Sequence, residues 1–382
     1  MTKFKTTLLA MAVSAAAFSV QAAQVSLYGS VSTGVLYQNQ ASLSGGEEPQ
    51  ESKDSFTMES GFWGDSIWGI TGEEDLGNGW TVGFTLENEF GSDTGEMAGA
   101  DPEGSVLFDS QAYLRIGNDK VNFAFGNIGG LASAGGDFDL LCAFDPMEAF
   151  VGVAGLGAFA SKDFASGNMA VVEVTPMEGF KVSLMGNTGD NDSNAKWSDR
   201  DHYYGLGVSY ENGPLALAAI AEMRKYDKIA ERNNLSDNDD SWTFTVAAAY
   251  DFEVIRPSFV YQHASKTREF AASEVSSGGA YNFDSFMLGA TAPLGQGTLR
   301  ASVQYVKGEN DAVSDEEGSA TILGLAYTYD MSKRTTLYGA AFYSVGGDGL
   351  DKDLGANETE FGLMGRADYN SVGFGVGLVH TF

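Results

Sequence analysis

The segment Val372-Gly-Phe-Gly-Val-Gly-Leu-Val-His-Thr-Phe382 constrains this chain more than any other. Val372, Phe374, Val376, Leu378, His380 and Phe382 share one parity, while Gly373, Gly375, Gly377 and Thr381 fill the other. A period of two is the signature of a β-strand, whose successive side chains point to opposite faces. Large apolar groups on one face and almost nothing on the other describe a strand set between two different media. One face needs an apolar surrounding, and the other must stay small or polar.

The pattern recurs along the chain. Trp80, Val82, Phe84 and Leu86 alternate with Thr81, Gly83, Thr85 and Glu87. Val121, Phe123 and Phe125 alternate with Asn122, Ala124 and Gly126; Trp242 to Tyr250 and Leu299 to Val306 do the same. One such segment fits any antiparallel sheet with a wet face, so the count is what discriminates. Tight turns are expected at Gly77-Asn78-Gly79, Gly117-Asn118-Asp119, Met177-Glu178-Gly179, Asn212-Gly213-Pro214, Asp251-Phe252-Glu253, Pro293 to Gly297 and Asp330 to Lys333. Their Gly, Asn and Asp supply the positive φ that hairpins require. Seven such turns, with one strand left over at either end, predict sixteen strands. Long polar connections alternate with these turns, as in transmembrane barrels. A barrel of that size encloses water rather than a packed core, and an even count lets the sheet close antiparallel.

Composition agrees: 49 Gly and 41 Phe and Tyr stand against 7 Pro. Lys3 and Lys5, the apolar run Leu8 to Val20 and the small-residue site Val20-Gln21-Ala22 read as a secretory signal. Residues 1–22 are therefore expected to be a signal peptide and 23–382 the barrel. No later stretch reaches the 18 or so apolar residues of a membrane helix. Cys142 is the only cysteine, so neither a disulfide framework nor a cysteine-based metal site exists within the chain. The formal net charge of −30 argues against nucleic acid, which selects basic surfaces. The three histidines, His202, His263 and His380, fit no nucleophile pattern or zinc spacing, so no enzyme is expected. The acidic runs Asp190-Asn-Asp192, Asp237 to Asp240 and Asp348 to Asp353 are candidates for Ca²⁺, a solvated loop being the simpler reading; no other cofactor is expected. Strand-end aromatics, among them Tyr28, Tyr37, Tyr203, Trp242, Tyr305 and Tyr338, suit girdles at the headgroup level.

The connection from Ile128 to Ser166 carries Asp137, Asp139, Asp145, Glu148 and Asp163 among Phe138, Phe144, Phe150 and Phe159. It is too apolar for a loop waving in water, and connections this long are usually functional. We expect it to fold into the lumen. By parity Glu87, Arg115, Glu173, Lys181, Arg256 and Arg300 face the same lumen, since a charge on the lipid face at midplane costs about 2–4 kcal/mol. Asp137, Asp139, Asp145 and Glu148 are then expected to oppose a thin basic wall across a constriction.

The chain resembles the sixteen-stranded trimeric porins of Gram-negative outer membranes. Val25 to Gly34 looks like their first strand, Ser66 to Gly79 like their second strand and turn, and Gln111-Ala-Tyr-Leu-Arg-Ile-Gly117 like their fourth. Phe382 is similar to their terminal aromatic, which is read as an assembly signal. The resemblance implies an outer-membrane homotrimer of water-filled barrels, each with an inward third loop. It also implies outer-membrane lipid, lipopolysaccharide and the barrel assembly machinery as partners, and passive diffusion of small hydrophilic solutes and ions. Members often carry positive residues where this chain has Ile67, Thr71, Ser110 and Asn127. With these neutral and the chain acidic, a cation-preferring channel is expected. The alternative is a substrate-selective channel with a solute-binding constriction, suggested by Phe138, Phe144 and Phe150.

Overall fold

The computed structural model describes residues 24–41, 53–61, 63–97, 100–101, 104–133, 135–148, 166–189, 197, 200–225, 240–267, 269–270, 273–274, 281–310, 317–346 and 370–382. The signal segment, the Ca²⁺ candidates apart from Asp240, and Phe150, Phe159 and Asp163 lie outside these residues. The chain runs through β1 (Gln24–Ala41), β2 in two segments (Lys53–Ser60 and Ile67–Gly77), β3 (Trp80–Glu89), β4 (Gln111–Gly117) and β5 (Val121–Ile128). It continues as β6 (Ser166–Met177), β7 (Phe180–Asn187), β8 (His202–Asn212), β9 (Leu215–Lys225), β10 (Ser241–Tyr250) and β11 (Arg256–Thr267). The last strands are β12 (Tyr281–Leu294), β13 (Gly297–Asn310), β14 (Glu317–Asp330), β15 (Thr335–Gly346) and β16 (Asn370–Thr381).

Each strand pairs antiparallel with its sequence neighbours, and β1 pairs with β16 from Ser30↔Thr381 to Ala41↔Asn370. The sheet therefore closes on itself as a sixteen-stranded barrel, the number the turn count predicts. All seven predicted turns lie between hairpin partners. At the first, Asn78 and Gly79 take φ of 55° and 79°, the two left-handed residues of a type I′ turn. That turn's twist matches the flanking strands, which fixes the β2–β3 register from Asp75↔Thr81 upward.

Parity sets the two faces as expected. On β16, Phe374 and Val376 are each 54% exposed on the outer surface, while Gly373 and Gly375 are buried. The glycine face of β16 is nevertheless covered. A Cβ on Gly373 would stand 2.3 Å from the Phe342 ring of β15, and one on Gly377 would stand 2.2 Å from the Tyr338 hydroxyl. These glycines make room for aromatic rings of the neighbouring strand, not only for water. Tyr338 thus points inward at 1% exposure, and Tyr203 inward at 2%. Tyr28 also turns inward, donating to Glu87 Oε2 at 2.8 Å. These three leave the expected girdle because burial and a hydrogen-bond partner outweigh the strand-end rule. Trp242 and Tyr305 remain on the outer face, exposed.

Phe382 ends the chain against β1. Its N–H donates to the Gly29 carbonyl at 3.0 Å, and its ring lies 2.5 Å from where a Gly29 Cβ would be.

Candidate functional site

The connection after β5 is described over residues 129–133 and 135–148, and its contacts fall on inward-facing wall residues. The Leu140 N–H donates to the Leu131 carbonyl at 2.9 Å, closing a loop whose tip reaches back to β4. There the Asp137 N–H donates to Gln111 Oε1 at 3.0 Å, and the Tyr113 hydroxyl donates to the Asp137 carboxylate. The Phe138 ring meets Tyr113 edge-on at 5.5 Å. The pinch itself lies against β8. The Leu131 N–H donates to Tyr203 Oη of β8 at 3.2 Å, and Leu140 occupies the space a side chain on Gly207 would need. A single 3₁₀ turn, Cys142–Phe144, packs by β10 and β11. The Pro146 ring then rests on Gly289 of β12, and Arg300 of β13 donates to the Pro146 carbonyl at 3.0 Å.

The four acidic residues of this connection have different partners. Asp139 Oδ2 accepts from the Leu141 and Cys142 N–H groups at 2.9 and 2.6 Å, holding the 3₁₀ turn. Asp145 is buried and accepts from the Met147 N–H at 2.8 Å. Asp137 is exposed at the tip, and Glu148 pairs with Arg300 at 2.8 Å. Asp139 and Asp145 therefore shape the connection, while Asp137 and Glu148 present charge. No Lys or Arg occurs between Gly129 and Glu148.

All six predicted wall charges lie on the inward parity, yet they do not gather at one level. Glu87 sits beside the loop tip, buried, accepting from Tyr28, from Ser110 Oγ at 2.6 Å and from Gln111 Nε2 at 3.3 Å. Arg115 pairs with Glu73 at 2.6 Å, and Lys181 with Glu173 at 3.0 Å. These two bases line a turn-side recess of ≈ 340 Å³ together with Lys120. Arg256 stands at the turn-side end of β11 under the influence of Asp251 and Glu211. Of the predicted bases, the ion pair and hydrogen bond that hold the described connection are those of Arg300, because parity fixes a residue's face but not whether the connection reaches it.

Residues that sequence reasoning passed over complete the site. Glu222 of β9, 2% exposed, accepts from the Tyr203 hydroxyl at 2.6 Å and from Thr243 Oγ1 at 3.0 Å. Its inward parity between Ala221 and Met223 was the available signal. Tyr113 and Tyr203 hold the connection, one at each side. Trp63, from the break in β2, reaches Tyr338 and Arg300. Phe138 and Phe144 are buried against wall and loop, so neither presents a ring to passing solute as the solute-binding alternative requires.

Cys142 exposes surface to the lumen although protein crowds its sulfur. That crowding, then the Asp139 carboxylate, pushes its thiol well above the ordinary range.

Among protein families, the Gram-negative porin model matches residues 6–348. The chain belongs to the Gram-negative porin family. It is an outer-membrane β-barrel. An outer membrane porin of Bordetella pertussis is 26% identical over 419 residues, covering 99% of this porin and all of the relative. Outer membrane porin protein 32 of Delftia acidovorans is 28% identical over 395 residues with the same coverage. Among solved structures, an anion-selective porin from Comamonas acidovorans superposes with a TM-score of 0.69 at 24% identity, covering 94% of this porin and all of that chain. OmpF of Salmonella typhi, in complex with daunomycin, reaches 0.62 at 14% identity, covering 94% and 97%. At these identities the structures speak for the fold alone.

Proposed function

We propose that this porin is a homotrimeric, cation-preferring channel for passive diffusion of ions and small hydrophilic solutes, narrowed by the connection from Gly129 to Glu148. The single observation that carries the ion preference is the charge at that connection. It brings Asp137, Asp139, Asp145 and Glu148 inward beside Glu87 and Glu222, with Arg300 the base that meets it, already paired to Glu148. Carboxylates focused in a narrow low-dielectric passage raise the local concentration of cations. Of the other predicted wall bases, Arg115, Lys181 and Arg256 are held at the turn side beside Glu73, Glu173 and Asp251, where screening over about 8 Å at physiological salt weakens their reach into the constriction; Arg224, inward on β9, lies two residues from the Glu222 carboxylate. The Comamonas porin is anion-selective; in this chain Ile67, Thr71, Ser110 and Asn127, positions where family members often carry positive residues, have no charge.

The homotrimer rests on the family resemblance, as do contacts with lipopolysaccharide and the barrel assembly machinery. The apolar outer face, with Leu114, Leu184, Leu288 and Leu325 all exposed, suits lipid and subunit contact. Reversal potentials of the refolded trimer across a KCl gradient test the ion preference. A potential of the sign set by K⁺ is expected. A Cl⁻-dominated potential overturns the cation preference.

A further inference from the structure

The second strand is broken, and the break has a direction. In an uninterrupted ladder continuing from Thr33↔Ser60, Ser30 would face Trp63; it faces Ile67 instead, so four extra residues are looped out. Gly61 and Gly64 stand on either side of the excursion with φ of 68° and 73°, a left-handed backbone that any larger residue would resist. Ser32 of β1, fully buried, anchors the exit and return. Its carbonyl accepts from the Gly61 N–H at 3.1 Å and from Ser66 Oγ at 3.0 Å, and its Oγ donates to the Trp63 carbonyl at 3.0 Å. An excursion held this firmly is built, not frayed.

It turns one ring to the inner side of the wall, where neighbouring side chains enclose it. Trp63 is 3% exposed, stacked on Tyr338 at 5.5 Å with 21° between planes. Tyr338 and Arg300 both alternate with outward residues, Leu337 and Leu299, so both face inward. The Arg300 guanidinium carbon lies 5.5 Å from the centre of the Trp63 ring. On its other side Arg300 holds the Glu148 carboxylate and the Pro146 carbonyl, and its Nε donates to Thr328 Oγ1 at 3.3 Å. Arg300 is therefore clamped between an aromatic face from β2 and the far end of the connection after β5, its side chain 12% exposed.

We propose that Trp63, packed behind the surface of the passage, sets the aperture from within the wall by filling volume that would otherwise open to the lumen, and that by covering Arg300 it withholds the constriction's guanidinium from the water path. The inward connection lines the barrel from β4 to β13, and Trp63 fills the wall between β13, β15 and β2. The passing solute then meets Asp137 at the β4 side, near Glu87, and meets little of the base. The ion-preference part of this inference rests on the cation-preferring reading above; the aperture part does not.

The test is single-channel recording of refolded full-length Trp63→Ala in planar bilayers. Heat-modifiable gel mobility establishes that the barrel has formed. At about 1 M KCl, where charge is screened beyond about 3 Å, conductance reads the opening. Trp63→Ala is expected to raise it roughly 1.5-fold or more, and Trp63→Phe to leave it near the parent value. At about 0.1 M salt, exposure of Arg300 is expected to lower the K⁺/Cl⁻ permeability ratio about twofold. The double variant Trp63→Ala/Arg300→Gln is expected to restore that ratio while keeping the larger conductance. Where Trp63→Ala does not fold, Trp63→Leu retains apolar filling and is expected to shift the ratio in the same direction. Unchanged conductance and unchanged ratio in a folded variant overturn the proposal. An anion-preferring parent channel overturns the cation-preferring reading, and the conductance arm still decides the role of Trp63.

Discussion

The Pro146 ring stands where a side chain on Gly289 would be: a Cβ there would lie 2.5 Å from Pro146 Cγ and 2.8 Å from Ser258 Oγ. A glycine on β12 thereby sets how close the inward connection lies to the wall. Pro146 is a stiff ring on a buried stretch, so the clash has no soft side chain to absorb it. Gly289→Ala should push residues 141–148 toward the axis. We expect reduced single-channel conductance and a destabilisation of about 1–3 kcal/mol, read by urea titration of the folded barrel.

Asp137 is the exposed carboxylate at the loop tip, held by Tyr113 and the edge of the barrel at Gln111. Asp137→Asn keeps the shape and the hydrogen-bonding oxygen while removing the charge. Its K⁺/Cl⁻ permeability ratio at low salt should fall, and conductance at high salt should stay close to the parent. Tyr113→Phe, which loosens Asp137 without discharging it, should add current noise with a smaller change in the ratio.

Removing the partner of Glu148 has the opposite sign. Arg300→Gln discards one positive charge and leaves Glu148 unneutralised. The permeability ratio should rise, and the tie between β13 and the connection weakens, so brief closures should become more frequent. A fall in the ratio would show that Arg300 acts by placing the loop rather than by its charge.

Cys142 offers a probe that needs no engineering, being the chain's only cysteine and exposed to the lumen. Its thiol is held above the usual range, so at any given pH less thiolate exists than on a free cysteine, whose midpoint is near about 8.5. Blockade by a charged methanethiosulfonate added to the channel should be slow at neutral pH. The rate should keep climbing above pH of about 9, where a free thiol levels off. Cys142→Ser should be insensitive.

The barrel was legible because its signals are local. Gly77-Asn78-Gly79 marks a turn within three residues, and Val372 to Phe382 declares its two faces without reference to anything distant. Each of the seven turns could be found this way, and the strand count followed. The site was less legible, since it depends on heights and on the path of one connection. Arg115, Lys181 and Arg256 share the inward parity of Arg300 and, like it, lie within a few residues of a turn; which of them the distant connection meets is written in no local pattern. Arg300 and Pro146 are 154 residues apart, and nothing local in either sequence announces the other. The break in β2 carried a signal, Gly61 and Gly64 flanking a tryptophan, but its direction is set by Ser32 on the neighbouring strand. The glycines of β16 were read as a surface left for water, whereas Phe342 and Tyr338 fill them from β15.

The seam between β1 and β16 joins the beginning of the folded chain to its end, with Phe382 laid over Gly29 as the final contact. Until that seam zips, both margins carry a row of unsatisfied amides and carbonyls that hydrocarbon cannot tolerate. A half-built cylinder therefore holds two bare margins that hydrocarbon alone cannot satisfy, and closing the β1–β16 seam removes both at once.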